Sequence, residues 1–152
     1  MSRKIQLEGR FELRLVRNGK VVHRDKRRNL VTDNGEAYAA DRFSYSGTAD
    51  PMRYLALGSG TNAPLKSDTK LQTEIAGTRT DRTTDTPSGS TVTYEFSYTH
   101  SGGSITVNEA GIFDSNVFDT TGMACRFLTQ TFSMVAGDVL DLTWTLEFEG
   151  VD

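Results

Sequence analysis

From Leu140 to Phe148 every second residue is apolar: Leu140, Leu142, Trp144, Leu146 and Phe148 alternate with Asp141, Thr143, Thr145 and Glu147. Side chains of an extended strand point to opposite faces in turn, so this stretch reads as a β-strand with one face deep in a core. A slip of one residue would carry the whole apolar set into water, which pins the register. Trp144 is therefore expected inside.

The same period recurs upstream. Phe11, Leu13 and Leu15 alternate with Glu12 and Arg14, and Asn18-Gly19 precedes Val21-Val22, so residues 10–17 and 20–25 predict a β-hairpin on a tight turn. Val92, Tyr94, Phe96 and Tyr98 alternate with Thr93, Glu95 and Ser97; His100-Ser-Gly-Gly103 then predicts a turn into a hairpin partner, Ser104–Val107. Ile105 and Val107 lie on one parity and Ala110 and Ile112 on the other, which predicts a bulge near Asn108-Glu109. Met123–Phe132 and the closing strand make a third expected hairpin, over 123–148. With strands near 29–31 and 53–57 the count is about eight. The expected fold is mainly β: an antiparallel, jelly-roll-like β-sandwich.

One short helix is expected near 33–43, capped by Thr32-Asp-Asn-Gly35, with Ala37, Ala40 and Phe43 near one face so that small alanines allow close packing on a sheet. The apolar run to Leu57 ends at Gly58-Ser-Gly60, which is expected to use the positive φ that glycine tolerates. Ser67 or Asp68 is then expected to cap a single helical turn that aims Leu71 and Ile75 at the core. Residues 76–90 are Thr, Asp, Arg, Gly and Ser with little to bury, and are expected extended and exposed.

At 152 residues the chain fits a single domain, residues 1–152, able to bury roughly two thirds of its unfolded surface. Its one cysteine, Cys125, lies among apolar residues and reads as core. No apolar run reaches the roughly 20 residues of a bilayer-spanning helix, and Met1-Ser-Arg-Lys4 does not lead into a signal-peptide core. Charge is divided: residues 1–28 hold ten Lys and Arg against three carboxylates, net +7, while the remainder is net −10. A basic N-terminal hairpin (10–28) on an acidic body points to contacts between copies or with another protein surface, and two ordinary solvated strand faces are the plainer alternative. The candidate partner-binding residues are Arg14, Arg17, Arg24, Lys26, Arg27, Arg28, Arg79 and Arg82, the last two alternating with Asp81 and Asp85 as if to pair across a subunit boundary. Nucleic acid is disfavoured, because no stacking aromatics interleave with Lys26-Arg-Arg28.

The sequence offers no catalytic, cofactor or metal constellation that a structural role does not explain. His23 and His100 have no ligand-spaced Cys or second His nearby and read as surface residues. Asp114-Ser-Asn116 and Asp33-Asn34-Gly35 offer oxygen ligands that suit calcium, but an ordinary turn or helix cap needs the same residues. Gly58-Ser-Gly60 lacks the Lys of a phosphate loop, and Glu109 with Asp114 lacks the cleft of a paired-carboxylate hydrolase.

The string Ala56-Leu-Gly-Ser-Gly-Thr-Asn-Ala-Pro64, with Ser67-Asp-Thr69 and Leu71, resembles a motif of small virion structural proteins of tailed bacteriophages. Asn29-Leu-Val-Thr-Asp-Asn-Gly35, Asn108-Glu-Ala-Gly-Ile-Phe-Asp114 and Asp138–Phe148 resemble the same group, in the same order along most of the chain. The resemblance implies a non-enzymatic protein of the virion, assembled in the host cytoplasm. It would be a capsid decoration or cement protein or, alternatively, a tail-fibre or baseplate subunit. The implied partners are further copies of itself and other virion proteins, such as a major capsid or tail protein. A carbohydrate-binding module is the competing class and would need exposed aromatics such as Tyr38, Tyr45, Tyr54 or Phe118.

Overall fold

The computed structural model describes residues 4–151; Met1–Arg3, part of the basic segment, and Asp152 lie outside the described residues. The described residues form nine strands and one helix, in order β1 (Lys4–Arg17), β2 (Lys20–Val31), α1 (Asp33–Phe43), β3 (Tyr54–Gly58), β4 (Thr80–Asp81), β5 (Thr84–Ser88), β6 (Thr91–Thr99), β7 (Ile105–Phe113), β8 (Met123–Met134) and β9 (Val139–Val151). The protein is mainly β, with 55% of its residues in strands. All nine strands join one antiparallel sheet, β4-β3-β7-β8-β2-β1-β9-β6-β5, curled into a half-barrel. The hydrogen bonds thus draw one continuous sheet where two layers are expected, and its wings share a single core. Strand β2 lies at the fold: it pairs with β1 from Lys20 to Asn29, and with β8 only through Leu30 and Val31.

The alternating residues face inward as expected. Phe11, Leu13, Leu15, Phe96, Leu140, Leu142 and Trp144 meet Leu55, Leu57, Val107, Ala110, Ile112 and Phe127 from the other wing, all at 2% exposure or less. Phe11 stacks on Phe127 with ring centroids 3.9 Å apart.

The hairpin at 10–25 forms, and Asn18 (φ 52°) and Gly19 (φ 74°) take the positive φ that a two-residue turn of the primed type requires. The other two hairpins do not form. Strand β6 pairs with β5 and β9, β7 with β3 and β8, and β9 with β1 and β6, so both 100–104 and 135–138 carry the chain from one wing to the other. These two arches lie side by side: the His100 amide donates to the Asp138 carbonyl (2.9 Å) and the Gly137 amide to the His100 carbonyl (2.8 Å). His100 is correspondingly buried, contrary to its expected surface position, with its imidazole between the Tyr98 hydroxyl (2.8 Å) and the Gly103 carbonyl (2.6 Å). Period two dictates which face a strand buries, and leaves open whether a glycine-rich turn doubles back or crosses the core. The strand count also shifts, because 20–25 and 29–31 are one strand while β4 and β5 emerge from the polar 76–90 segment.

Helix α1 begins at the expected cap, where the Thr32 hydroxyl accepts from the Gly35 amide and donates to the Met123 carbonyl (2.7 Å). Its close approach comes from Gly35, where a Cβ would collide with the Ala124 carbonyl. Ala37, Ala40 and Phe43 face solvent, which corrects the expected alanine face.

Candidate functional site

Residues 59–79 fold over the back of β3, β7 and β8, and close a second small core of Ala56, Leu71, Phe113 and Met123. The expected phase slip creates the polar centre of this region. Between Val107 and Glu109 strand β7 advances two residues while β8 advances from Phe132 to Leu128, so Glu109 turns away from the main core and is fully buried beneath the loop. Its Oε1 accepts from the amides of Gly60 (3.1 Å) and Thr73 (2.8 Å), and its Oε2 from Gln72 (3.1 Å) and from Arg126 Nε (2.8 Å). Arg126, 1% exposed, also donates to Asp68 (3.2 Å) and Asn62 (2.7 Å). A buried carboxylate with a paired guanidinium and three amide donors has its lone pairs satisfied, which is the condition for tolerating two buried charges.

Gly58 and Gly60, expected to supply positive φ, do not. Their reason is space. A Cβ on Gly58 would lie 2.5 Å from Glu109 Oε1 and 2.6 Å from the Thr73 carbonyl, and one on Gly60 2.6 Å from the same Oε1. No helical turn forms at 67–68; Asp68 instead accepts from the Leu65 amide (2.8 Å) and from Arg126. Leu71 is buried as expected.

A second brace uses a candidate residue. The Arg79 side chain, 6% exposed, is forked onto Glu74 (3.0 and 2.8 Å), bonded to the Ser115 carbonyl (2.6 Å) and lies 3.7 Å over the Phe113 ring. Arg82 pairs with Asp81 and Asp85, and Arg53 also holds Asp81. Arg79 and Arg82, which alternate with carboxylates in the sequence as if for a subunit boundary, meet carboxylates of their own chain, brought to them by β4 and the loop.

On the hairpin, five cations meet acids within the chain, among them Arg10 with Glu147 (3.7 Å). Arg14 faces Asp141 (3.6 Å), Arg28 faces Glu8 (3.6 Å), and Arg17 grips Asp138 through two bonds of 2.9 and 2.8 Å. That guanidinium, with the Val135 amide, holds the buried Asp138 carboxyl down at about 2. Arg27 donates to Asp25 (3.0 Å), whose other oxygen accepts from the Gln130 amide of β8 (2.8 Å). Much of the +7 and −10 division is therefore cross-strand complementarity inside one molecule. Arg24 and Lys26 are exposed and have no ion-pair partner among the described residues. With Arg28 they form the outward row of β2.

Of the aromatics weighed for glycan binding, the Tyr38 hydroxyl accepts from the Met52 amide (2.9 Å), Tyr54 lies under Arg53, and Tyr45 and Phe118 are exposed without a second ring beside them in the aromatic pairs of the described residues. Asn34 of the calcium-suited turn donates to the Met123 carbonyl (3.2 Å), which ties the start of α1 to β8. Burial pushes the Cys125 thiol well above its ordinary range, which suits a core residue. Compared with family models, curated proteins and solved structures, the chain matches none.

Proposed function

We propose that this chain is a non-enzymatic structural subunit of a tailed-phage virion, a capsid decoration or cement protein that works through contacts with its neighbours, with a tail-fibre or baseplate subunit as the alternative address. The observation that carries this reading is the use to which the polar motif residues are put. Asn62, Asp68, Glu109 and Arg126 bind one another and the loop backbone, so the motifs read as a brace that stiffens the half-barrel. The features left facing solvent suit attachment: the Arg24, Lys26 and Arg28 row, and the exposed apolar side chains Ile5, Phe43 and Tyr45 beside α1 and β1. A layer of many copies is held by individually weak contacts because binding is multivalent.

The test is sedimentation velocity together with a particle-binding assay, comparing wild type with Arg24→Glu/Lys26→Glu at two salt concentrations. The pair leaves the Arg27–Asp25 contact in place. Association that is lost in the variant and weakened by salt in the wild type is expected. Equal association of both proteins at both salts would remove the hairpin from the attachment surface.

A further inference from the structure

A sheet of nine strands has two ends, and both are blunted here. At one end β4 has two residues; at the other β5 carries Pro87, which cannot donate to a neighbouring strand. The break at β2 creates a third edge inside the sheet order. From Lys20 to Asn29, β2 is hydrogen-bonded to β1 on one side and, among the described residues, pairs with no strand on the other; its links to β8 along this length are made by side chains, Asp25 on the Gln130 amide and the His23 ring stacked 5.1 Å from that of Phe132. Half the amides and carbonyls of this stretch point away from β1. The edge is long, contains no proline, and exposes Val21 (39%) and Val22 (51%).

We infer that this open edge of β2 accepts an extended strand from a different protein, one that presents carboxylates at alternate positions. The inference rests on the contact function proposed above and names the form of the contact. Strand addition supplies main-chain hydrogen bonds, and the side chains that fall on one face supply selectivity. On β2 that outward face carries Arg24, Lys26 and Arg28 at successive alternate positions, and an incoming strand meets them directly with its own alternate residues. A second copy pairing β2 to β2 would set these cations against each other, which excludes the symmetric pairing and selects an acidic partner.

The test uses the intact chain and labelled nine-residue peptides in fluorescence anisotropy. One alternates Glu with Val, a second has the same sequence with every backbone nitrogen methylated, and a third has Lys in place of Glu. The first binds, with affinity falling as salt rises; the methylated peptide, equal in charge but without amide donors, binds roughly tenfold or more weakly. Arg24→Glu/Lys26→Glu, with an unchanged circular dichroism spectrum, loses the Glu peptide by a similar factor and gains the Lys peptide. Equal binding of the methylated and unmethylated peptides would overturn strand addition and leave a plain cationic contact, so that the proposed function survives. Failure of the Glu peptide to bind at about 1 mM would overturn the inference as well. Retention of particle association by the charge-reversed protein would move attachment off β2 and overturn the inference, whereas a wild-type chain that does not associate with particles would count against the function itself.

Discussion

Replacing Glu109 by Gln changes almost no volume and removes one charge from the centre of the brace. Two losses follow. The charge-assisted bond to Arg126, 2.8 Å long, becomes a neutral one or is lost, at roughly 1.5–3 kcal/mol. The four donors around the carboxylate, the amides of Gly60, Gln72 and Thr73 and the guanidinium, then face one carbonyl oxygen and one NH2 group. The NH2 group meets donors, which leaves at least one buried group unsatisfied at about 1–3 kcal/mol. Together these give about 3–5 kcal/mol, the range for breaking one side of a buried ion pair. For a domain of this size each kcal/mol lowers Tm by about 2–4 °C, so a fall of roughly 6–20 °C is expected. Urea unfolding followed by tryptophan fluorescence reads the difference. Arg126→Met in the Glu109→Gln background should cost less than in wild type, because the two residues share one interaction. A Glu109→Gln loss below about 1 kcal/mol, or strict additivity of the two changes, would refute the brace.

Trp144→Ala should cost about 3–5 kcal/mol, since the side chain is 1% exposed and its ring lies 5.1 Å from Tyr94; iodide should quench native Trp144 poorly, and strong quenching would contradict the register. Gly58→Ala should cost about 1–3 kcal/mol by forcing Glu109 or the Thr73 carbonyl aside, while Gly103→Ala, with no atom within 4 Å of its added Cβ, should be near neutral; equal effects in urea titrations would refute the close-approach argument. Asp138, depressed from 3.8 to about 2 by Arg17, contributes stability that is present above its unfolded value and is lost as pH falls through about 2. Asp138→Asn should flatten the pH dependence of Tm over that window, and an unchanged slope would contradict the assignment.

How far the sequence could be read depended on whether the cause was local. Alternation is local, so the buried faces of β6 and β9 and the Asn18-Gly19 turn follow from neighbouring residues alone. Partner choice is not local: His100-Ser-Gly-Gly103 has hairpin composition, yet its contacts with Gly137 and Asp138 make it an arch. The glycines of Gly58-Ser-Gly60 were legible as constrained positions, but their cause lies 49 residues away on Glu109. The phase slip at Asn108-Glu109 was the visible trace of that site, because it placed a carboxylate where an apolar strand should have continued. Arg79 and Arg24 look alike in sequence; Glu74, Phe113 and Ser115 enclose one, and β2's open side exposes the other.

Quantitative mass spectrometry of gradient-purified particles from cells producing this chain tests the proposed role as a virion component acting by contact. The chain is expected in the particle band at a fixed ratio to the major structural protein, with a lower ratio for Arg24→Glu/Lys26→Glu. Its absence from that band, with all of it recovered in the unassembled fraction, would rule that role out.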